Sequence, residues 1–203
     1  MRYPPGQKEK TRERLLDLSS RLSKRNGFAS VSVDDLMSAA GLTGGAFYAH
    51  FDSKDALFAE LVAREVTHSA DMLAPREGQS RDAWLAETLG AYLNTAHVKN
   101  SGSGCVIPAL GPEIARGNLK VKRAFEASMT RLQECWTEQL GDPELAWTLI
   151  CQLVGAIVVA RAMASLAVAN EIVDANRAQI GRVAGAAVAS RRRRAPKAEP
   201  KTS

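Results

Sequence analysis

Residues 43–54 contain a cluster of side chains that can donate hydrogen bonds to an anion. The donors are Thr43, Tyr48, His50 and Lys54, and two glycines, Gly44 and Gly45, follow Thr43. Hydroxyl, imidazole and ammonium groups in such a cluster bind phosphate, and glycines let a backbone come close to a large ligand. A lysine at the start of a helix opposes the helix dipole, and we interpret Lys54 as a group placed to meet a phosphate. The pattern predicts contacts with a nucleic-acid backbone.

The cysteines are the second chemically reactive set: Cys105, Cys135 and Cys151. Their number is odd and no CxxC pair occurs, so the sequence indicates neither a disulfide framework nor a zinc or other metal site. Cys105 follows the polar, glycine-rich segment 101–104 and precedes a predicted helical segment. A thiol in a flexible loop at a helix N-terminus can react with oxidants or electrophiles. The alternative interpretation of Cys105 is a small buried side chain.

The elements that position these groups are helices, because strand signals are nearly absent and apolar residues recur at helical spacing. We predict a first helix over 7–26, ended by Gly27 in a left-handed conformation with Phe28 packed back onto it. Ser32 and Asp35 form a capping box at the start of a second helix, which ends at Gly41. Thr43 caps a third helix that reaches Phe51, and Ser53 caps a fourth over 54–72. Further helices are predicted over 81–98, 112–117, 119–140, 142–168 and 170–190.

Charge divides the 203-residue chain, which carries a formal net charge of +5. Residues 1–33 hold eight basic and three acidic side chains, and the end of the chain from residue 190 holds six and one. The basic first helix is either a DNA-facing or a solvated face, and the run 191–194 is a solubilising tail or a non-specific DNA contact. The apolar stretch 145–169 is interrupted by Gln152 and Arg161, which argues against a membrane span. The polar start of the chain indicates no secretory signal, and we expect a cytoplasmic protein.

Two short helices joined by a tight turn through the small residues Ala39, Ala40 and Gly41 predict a helix-turn-helix over 32–51. This segment resembles the tetracycline-repressor (TetR) family of transcriptional regulators. Ser23 and Gly44 depart from the family pattern, at places where an aromatic and a polar residue are common. The matching residues are the 15–22 leucine stripe, Gly27, Phe28, Val33, Leu36, Ala39, Ala40, Gly41, Thr43, Gly45, Phe47, Tyr48, His50, Phe51, Lys54 and Leu57.

The resemblance implies an all-α protein with an N-terminal three-helix DNA-binding module over 7–53 and a helical ligand-binding and dimerisation domain over 54–190. Residues 191–203 are expected to form a disordered basic tail. The implied function is a repressor that a small-molecule effector or thiol modification releases from a near-palindromic double-stranded DNA operator. The implied homodimer forms through the helices at 142–168 and 170–190. Some family members carry a glycine–cysteine segment near the place of Cys105 and sense reactive species with it.

Two sets of site residues follow from the pattern and the resemblance. Packing within the protein is the competing interpretation for Phe47, Tyr48 and His50, and for the whole second set. The predicted DNA-binding set is Ser32, Thr43, Gly44, Gly45, Phe47, Tyr48, His50 and Lys54. The predicted ligand-binding or sensing set is Trp84, Tyr92, His97, Cys105, Met129, Trp136 and Met163.

Two functions of other classes compete with the regulator. One is an enzyme that uses His97 and Cys105, but no third group to orient them is evident, so we expect no enzyme and no cofactor. The other is an architectural DNA-binding protein that uses the basic tail and responds to no effector. Sequence-independent DNA binding would support the second alternative.

Overall fold

The computed structural model describes residues 6–102 and 104–194, with the backbone alone for 187–194. These residues form α-helices and one 3₁₀ helix without a strand, which confirms the all-α prediction. The elements are α1 (Gln7–Asn26), α2 (Val33–Ala39), the 3₁₀ helix (Gly44–Ala49), α3 (Lys54–Leu73), α4 (Arg81–Tyr92), α5 (Thr95–Lys99), α6 (Ile107–Arg116), α7 (Leu119–Leu140), α8 (Pro143–Arg161) and α9 (Leu166–Arg194).

Short polar side chains determine where most of these helices begin. Each accepts a hydrogen bond from a backbone N–H of the first turn, which typically stabilises a helix by about 1 kcal/mol. The caps are Ser32 for α2, Ser53 for α3, Ser80 for α4, Asn94 for α5, Asn118 for α7 and Asp142 for α8. At the end of α1, Gly27 has the predicted positive φ of 83°, but its ψ of 145° lies outside the left-handed helical region.

The helices pack in two connected groups. α1, α2 and the 3₁₀ helix form an N-terminal module that contacts the rest through α3 and α6. α3 lies along α7, and α8 packs against both α7 and α9. Trp84 of α4 and Trp136 of α7 meet edge to face, with ring centroids 5.1 Å apart, at the centre of the second group. Both side chains are almost completely buried.

α8 is the one helix in the described part of the chain whose length and mean hydropathy of 1.7 would suit a membrane span. A core helix has the same composition, and α8 contacts α5, α6, α7 and α9. Its inward side chains, which include Leu149, Leu153 and Ile157, are buried. The packing of α8 accounts for its apolar composition.

The single helix predicted over 81–98 was wrong, because the chain is divided at Asn94 into α4 and α5. The side-chain amide of Asn94 donates to the carbonyls of Gly90 and Ala91 at the end of α4. Its oxygen accepts from the backbone N–H of His97 at 2.8 Å. One asparagine therefore closes one helix and opens the next, so the chain turns at this point.

Other predicted boundaries were wrong by several residues. α6 begins at Ile107 rather than 112, because Pro108 is tolerated in a first helical turn and Pro112 lies inside the helix. The helices at 142–168 and 170–190 instead span Pro143–Arg161 and Leu166–Arg194, with the chain turning after Ala162. α9 continues four residues past the predicted end at 190. The disorder predicted for the rest of the tail, 195–203, lies outside the described residues.

Replacement of Asn94 by alanine removes the caps of two helices. We expect Asn94→Ala to lower the free energy of unfolding by about 1–2 kcal/mol in urea denaturation. The matched control is Asn26→Ala, at an exposed helix end, which should stay within about 0.5 kcal/mol of the wild type. Equal stability of the two variants would contradict the double-cap role of Asn94.

Candidate nucleic-acid interface and cysteine cluster

Ser32 and Asp35 form the predicted capping box at the start of α2. The backbone N–H of Asp35 donates to the Ser32 hydroxyl at 3.0 Å, and the Ser32 N–H donates to the Asp35 carboxylate at 3.1 Å. The hydroxyl itself donates to the same carboxylate at 2.6 Å. The side-chain and backbone hydrogen bonds from Ser32 lower the pKa of Asp35. The predicted DNA contact of Ser32 would therefore compete with the cap.

The third helix is a 3₁₀ helix over Gly44–Ala49, which is shorter than the predicted segment. Thr43 precedes it in an extended conformation and makes no side-chain capping bond, so the predicted Thr43 cap was wrong. A 3₁₀ helix has three residues per turn, so side chains three apart share a face. Residues 44, 47 and 50 face the core, and residues 45 and 48 face outward.

Two of the predicted DNA contacts, Phe47 and His50, lie on the inward face. Phe47 is wholly buried and packs against Phe51 with ring centroids 5.6 Å apart, so its side chain has no surface to offer a ligand. His50 is also buried. Burial, followed by the charges of Lys8 and Arg12, lowers the pKa of His50 and favours its neutral form. Neither side chain lies on the outer surface of the helix-turn-helix.

The outward face carries the residues that fit the predicted interface. Tyr48 is 67% exposed, and Thr43 is also exposed. A Cβ placed on Gly45 would meet no atom within 4 Å, so the backbone there is open to a large ligand. Thr43, Gly45 and Tyr48 thus form an exposed surface with two hydroxyl groups, which we call the outer face.

Gly44 and Lys54 serve contacts within the protein. A Cβ on Gly44 would lie 2.4 Å from an oxygen of Asp34, so the glycine lets α2 approach the 3₁₀ helix. The Lys54 ammonium donates to the Ala29 carbonyl at 3.1 Å and lies 5.0 Å from the centroid of the Phe28 ring. These contacts tie the loop after α1 to α3. These contacts account for a cation at the start of a helix, so a bound phosphate is not needed to explain Lys54.

Cys105 is 3% exposed, which agrees with the interpretation of Cys105 as a small buried side chain. Its backbone N–H donates to His97 Nε2 at 3.2 Å, and His97 Nδ1 lies 2.7 Å from the Tyr92 carbonyl oxygen. Because Nε2 accepts, the proton of the neutral ring is on Nδ1, which donates to that carbonyl. Burial is the main cause that lowers the pKa of His97, and it favours this neutral form.

Arg161 and Tyr92 complete a buried cluster around Cys105. The Arg161 guanidinium donates to the His97 carbonyl at 2.8 Å, while its Nε and Nη1 are buried and without a partner among the described residues. The Tyr92 hydroxyl lies buried beside Cys105, and burial, followed by the interaction with Cys105, raises the pKa of Tyr92 well above the ordinary value. Burial lowers the pKa of Arg161. The cluster thus places a guanidinium near a phenol hydroxyl and a thiol.

Three of the seven predicted sensing residues, Tyr92, His97 and Cys105, meet in this cluster. The others do not join them: Trp84, Trp136 and Met129 are packed in the core, and Met163 is exposed near the turn between α8 and α9. Sequence reasoning missed Arg161 as a member of the site. Its signal was a charged residue inside an otherwise apolar helix.

Two polar contacts connect this region to the N-terminal module. Lys24 of α1 donates to Glu65 at 3.0 Å and to the Gly104 carbonyl at 3.2 Å. Glu113 of α6 accepts from the backbone N–H groups of Phe28 at 2.7 Å and Ala29 at 3.3 Å. α6 and the loop before it are therefore bonded directly to α1 and to the loop that follows it.

A short helix, a tight turn and a second helix with an exposed outer face define the class as helix-turn-helix DNA-binding regulators. Comparison with known proteins agrees. The sequence model of the family "Bacterial regulatory proteins, tetR family" matches residues 15–61. The match covers the helix-turn-helix, so this part of the chain is similar to the DNA-binding region of TetR-family transcriptional regulators.

Individual relatives match over different lengths. The regulator AcrR of Shigella flexneri is 42% identical over 53 residues, so the match spans only a quarter of that protein and 26% of this chain. The repressor ComR of Escherichia coli is 26% identical over 173 residues, which cover 76% of this chain and 81% of ComR. The crystal structure of reduced E. coli NemR superposes with a TM-score of 0.72 at 20% identity, covering 84% of this chain and 95% of NemR. At that identity the superposition shows the shared fold alone.

Acid should weaken the fold through the two buried histidines. The pKa values of His97 and His50 are lowered in the folded protein, so the unfolded chain takes up protons first as the pH falls. The contribution of these two histidines to stability is therefore fully present above about pH 6.5 and is lost as the pH falls below that value. We expect the free energy of unfolding in urea to decrease from pH 7.5 to pH 5.5.

A variant separates the contribution of His97. His97→Gln keeps a polar side chain but does not titrate, so its loss of stability between pH 7.5 and pH 5.5 should be smaller than that of the wild type. The same loss in both proteins would mean that His97 keeps its ordinary pKa in the folded state.

Proposed function

We propose that this protein is a homodimeric, cytoplasmic repressor whose helix-turn-helix binds a near-palindromic operator. The outer face carries the proposal, since Thr43 and Tyr48 present hydroxyl groups beside the open backbone of Gly45. Hydroxyl and backbone N–H groups bind DNA phosphates and set the register of a recognition element. The face offers few side chains to base edges, so contacts to the DNA backbone supply much of the affinity.

Release from the operator is proposed to follow a small-molecule effector or modification of the Cys105 thiol. The domain of residues 54–190 holds the sensing groups, and residues 7–53 hold the DNA-binding module. Cys105 is tightly packed, so a group added to its sulfur has to displace neighbours in a dense interior. The contacts of α6 and its preceding loop with α1 provide a route from the thiol to the helix-turn-helix.

The proposed dimer uses α8 and α9. Apolar side chains remain exposed along α8 and the start of α9, and such a surface fits a second copy of the chain. They are Trp147, Val158, Val159, Met163, Leu166 and Val168. A two-fold dimer would present two helix-turn-helix units to successive turns of the operator, which explains the expected near-palindrome.

The DNA-binding test uses the promoter fragment beside the protein's own gene. We expect a mobility shift at low salt that weakens steeply as salt rises, because phosphate contacts release counterions. Tyr48→Phe should weaken binding about fivefold to tenfold, which corresponds to the loss of one hydrogen bond of about 1 kcal/mol.

The Tyr48→Phe variant should melt at the wild-type temperature, since the lost hydroxyl belongs to an exposed side chain. Unchanged affinity would remove Tyr48 from the interface. The absence of any shift at low salt would count against the proposed function as a whole.

The dimer test places charges on the exposed apolar face. Val158→Glu combined with Val159→Glu should shift the mass in light scattering from dimer to monomer at micromolar concentration, because two carboxylates would be buried without partners. The control is Met72→Glu, at an exposed apolar residue on α3, which should remain dimeric. A wild-type monomer, or a dimer that survives both substitutions, would refute this interface.

A further inference from the structure

A buried ammonium group lies where the N-terminal module meets the loop before α6. Lys24 Nζ donates to Glu65 Oε2 at 3.0 Å and to the Gly104 carbonyl at 3.2 Å. The two side chains are 8% and 12% exposed. Burial alone would raise the pKa of Glu65, but the hydrogen bond and charge of Lys24, with further bonds from Ser20 and Arg64, hold it below the ordinary value. The lysine therefore joins α1, α3 and the loop.

The peptide group between Gly104 and Cys105 is held at both ends. Its carbonyl oxygen accepts from Lys24, and its N–H donates to His97 Nε2 at 3.2 Å. A peptide group is planar and rigid, so a rotation that moves the N–H also moves the carbonyl. One peptide group thus connects the histidine of α5 to the lysine of α1.

The surroundings of this peptide are too tight for an added group. A Cβ on Gly104 would lie 2.4 Å from His97 Cδ2 and 3.1 Å from Arg161 Nη2. The Cys105 side chain is buried directly beside it. Because a dense interior does not absorb extra atoms without moving its backbone, a substituent on the sulfur has to displace the Gly104–Cys105 segment.

We propose that the Gly104–Cys105 peptide holds the end of α1 to the loop before α6, and we call this peptide the latch. Lys24 is the positioning residue, because modification of Cys105 breaks the hydrogen bond between Lys24 and the Gly104 carbonyl and so releases α1 from the loop. The inference rests on the proposed function, since it describes how thiol modification would reach the helix-turn-helix. When the segment is displaced, Lys24 loses the Gly104 carbonyl and keeps Glu65. α1 then remains bound to α3 through this lysine but no longer to the loop.

α1 can carry this change to the DNA-binding surface. Its N-terminal half is bonded to the helix-turn-helix, where Arg12 donates to the His50 carbonyl at 3.4 Å and lies 4.8 Å from the centroid of the Phe51 ring. Arg12 also forms a two-point ion pair with Glu60 of α3. A shift of α1 relative to α3 therefore changes how the 3₁₀ helix is supported.

The experiment uses the full chain with Cys135→Ser and Cys151→Ser, so that iodoacetamide alkylates Cys105 alone. In this reaction the Cys105 sulfur forms a bond to carbon, the carbon–iodine bond breaks, iodide leaves and the thiol proton passes to solvent. Mass spectrometry verifies complete modification. The first measurement is amide hydrogen exchange in peptides that cover residues 18–27, without DNA.

Alkylation should speed exchange at the end of α1 by about tenfold, as expected for the loss of one hydrogen bond to a charged group. In Lys24→Met the exchange should already be fast, and alkylation should add no further increase. The double variant Lys24→Met with Glu65→Gln avoids a buried unpaired carboxylate and should behave in the same way. The matched control Arg21→Met removes an equal charge from an exposed residue of α1 and should retain the full response.

The second measurement is operator affinity before and after alkylation. Faster exchange at the end of α1 without loss of operator affinity would support the latch and contradict the thiol branch of the proposed function. Unchanged exchange in the fully alkylated protein would overturn the latch, whatever happens to affinity. A response in Lys24→Met as large as in the background protein would overturn the role of Lys24.

Discussion

The ion pair between Lys24 and Glu65 is the interaction on which the connection of the two parts of the molecule depends. Charges with so little exposure are costly to bury unless their partners are complete. Glu65 receives hydrogen bonds from Lys24, Ser20 and Arg64, and Lys24 adds the Gly104 carbonyl. Because a buried charge tolerates few alternative positions, α1 has a defined placement against α3 and against the loop before α6.

The same requirement for complete partners distinguishes the surroundings of Cys105. Arg161 brings a cation into the interior, yet no ion pair involves it among the described residues, and two of its nitrogens have no partner there. Its Nη2 is fixed by the carbonyl of His97, the residue that also holds the Cys105 N–H. This guanidinium therefore lacks part of the hydrogen bonding that stabilises a buried charge. The polar groups of the cluster are therefore less completely paired than Lys24 and Glu65 are.

Local patterns in the sequence predicted a large part of the fold. The capping box of Ser32 and Asp35 and the bounds of α1 were predictable because the interactions lie within a few residues. Asn94 was missed because its amide serves two helices at once, and apolar periodicity continues through it. The turn between α8 and α9 was predicted several residues too late, since the small apolar residues on both sides give no strong stop signal.

The candidate site was predictable as a segment and less so as a surface. The pattern that ends at Lys54 marked the helix-turn-helix correctly. It placed Phe47 and His50 in one set with Tyr48 because the motif gives residue types and spacing, whereas the burial of Phe47 and His50 depends on how this short helix packs against the core. Arg161 bonds to a residue that is 64 positions away in the sequence, and Lys24 to one that is 80 positions away. Such pairings depend on the tertiary fold.

The most direct test of the central claim is binding-site selection from fragmented genomic DNA with the purified full-length protein. The account predicts enrichment of one near-palindromic sequence whose half-sites lie about one helical turn apart, with a site beside the protein's own gene. Recovery of fragments without a shared sequence, at a salt concentration where the protein still binds DNA, would contradict a specific operator. That result would favour an architectural DNA-binding protein instead.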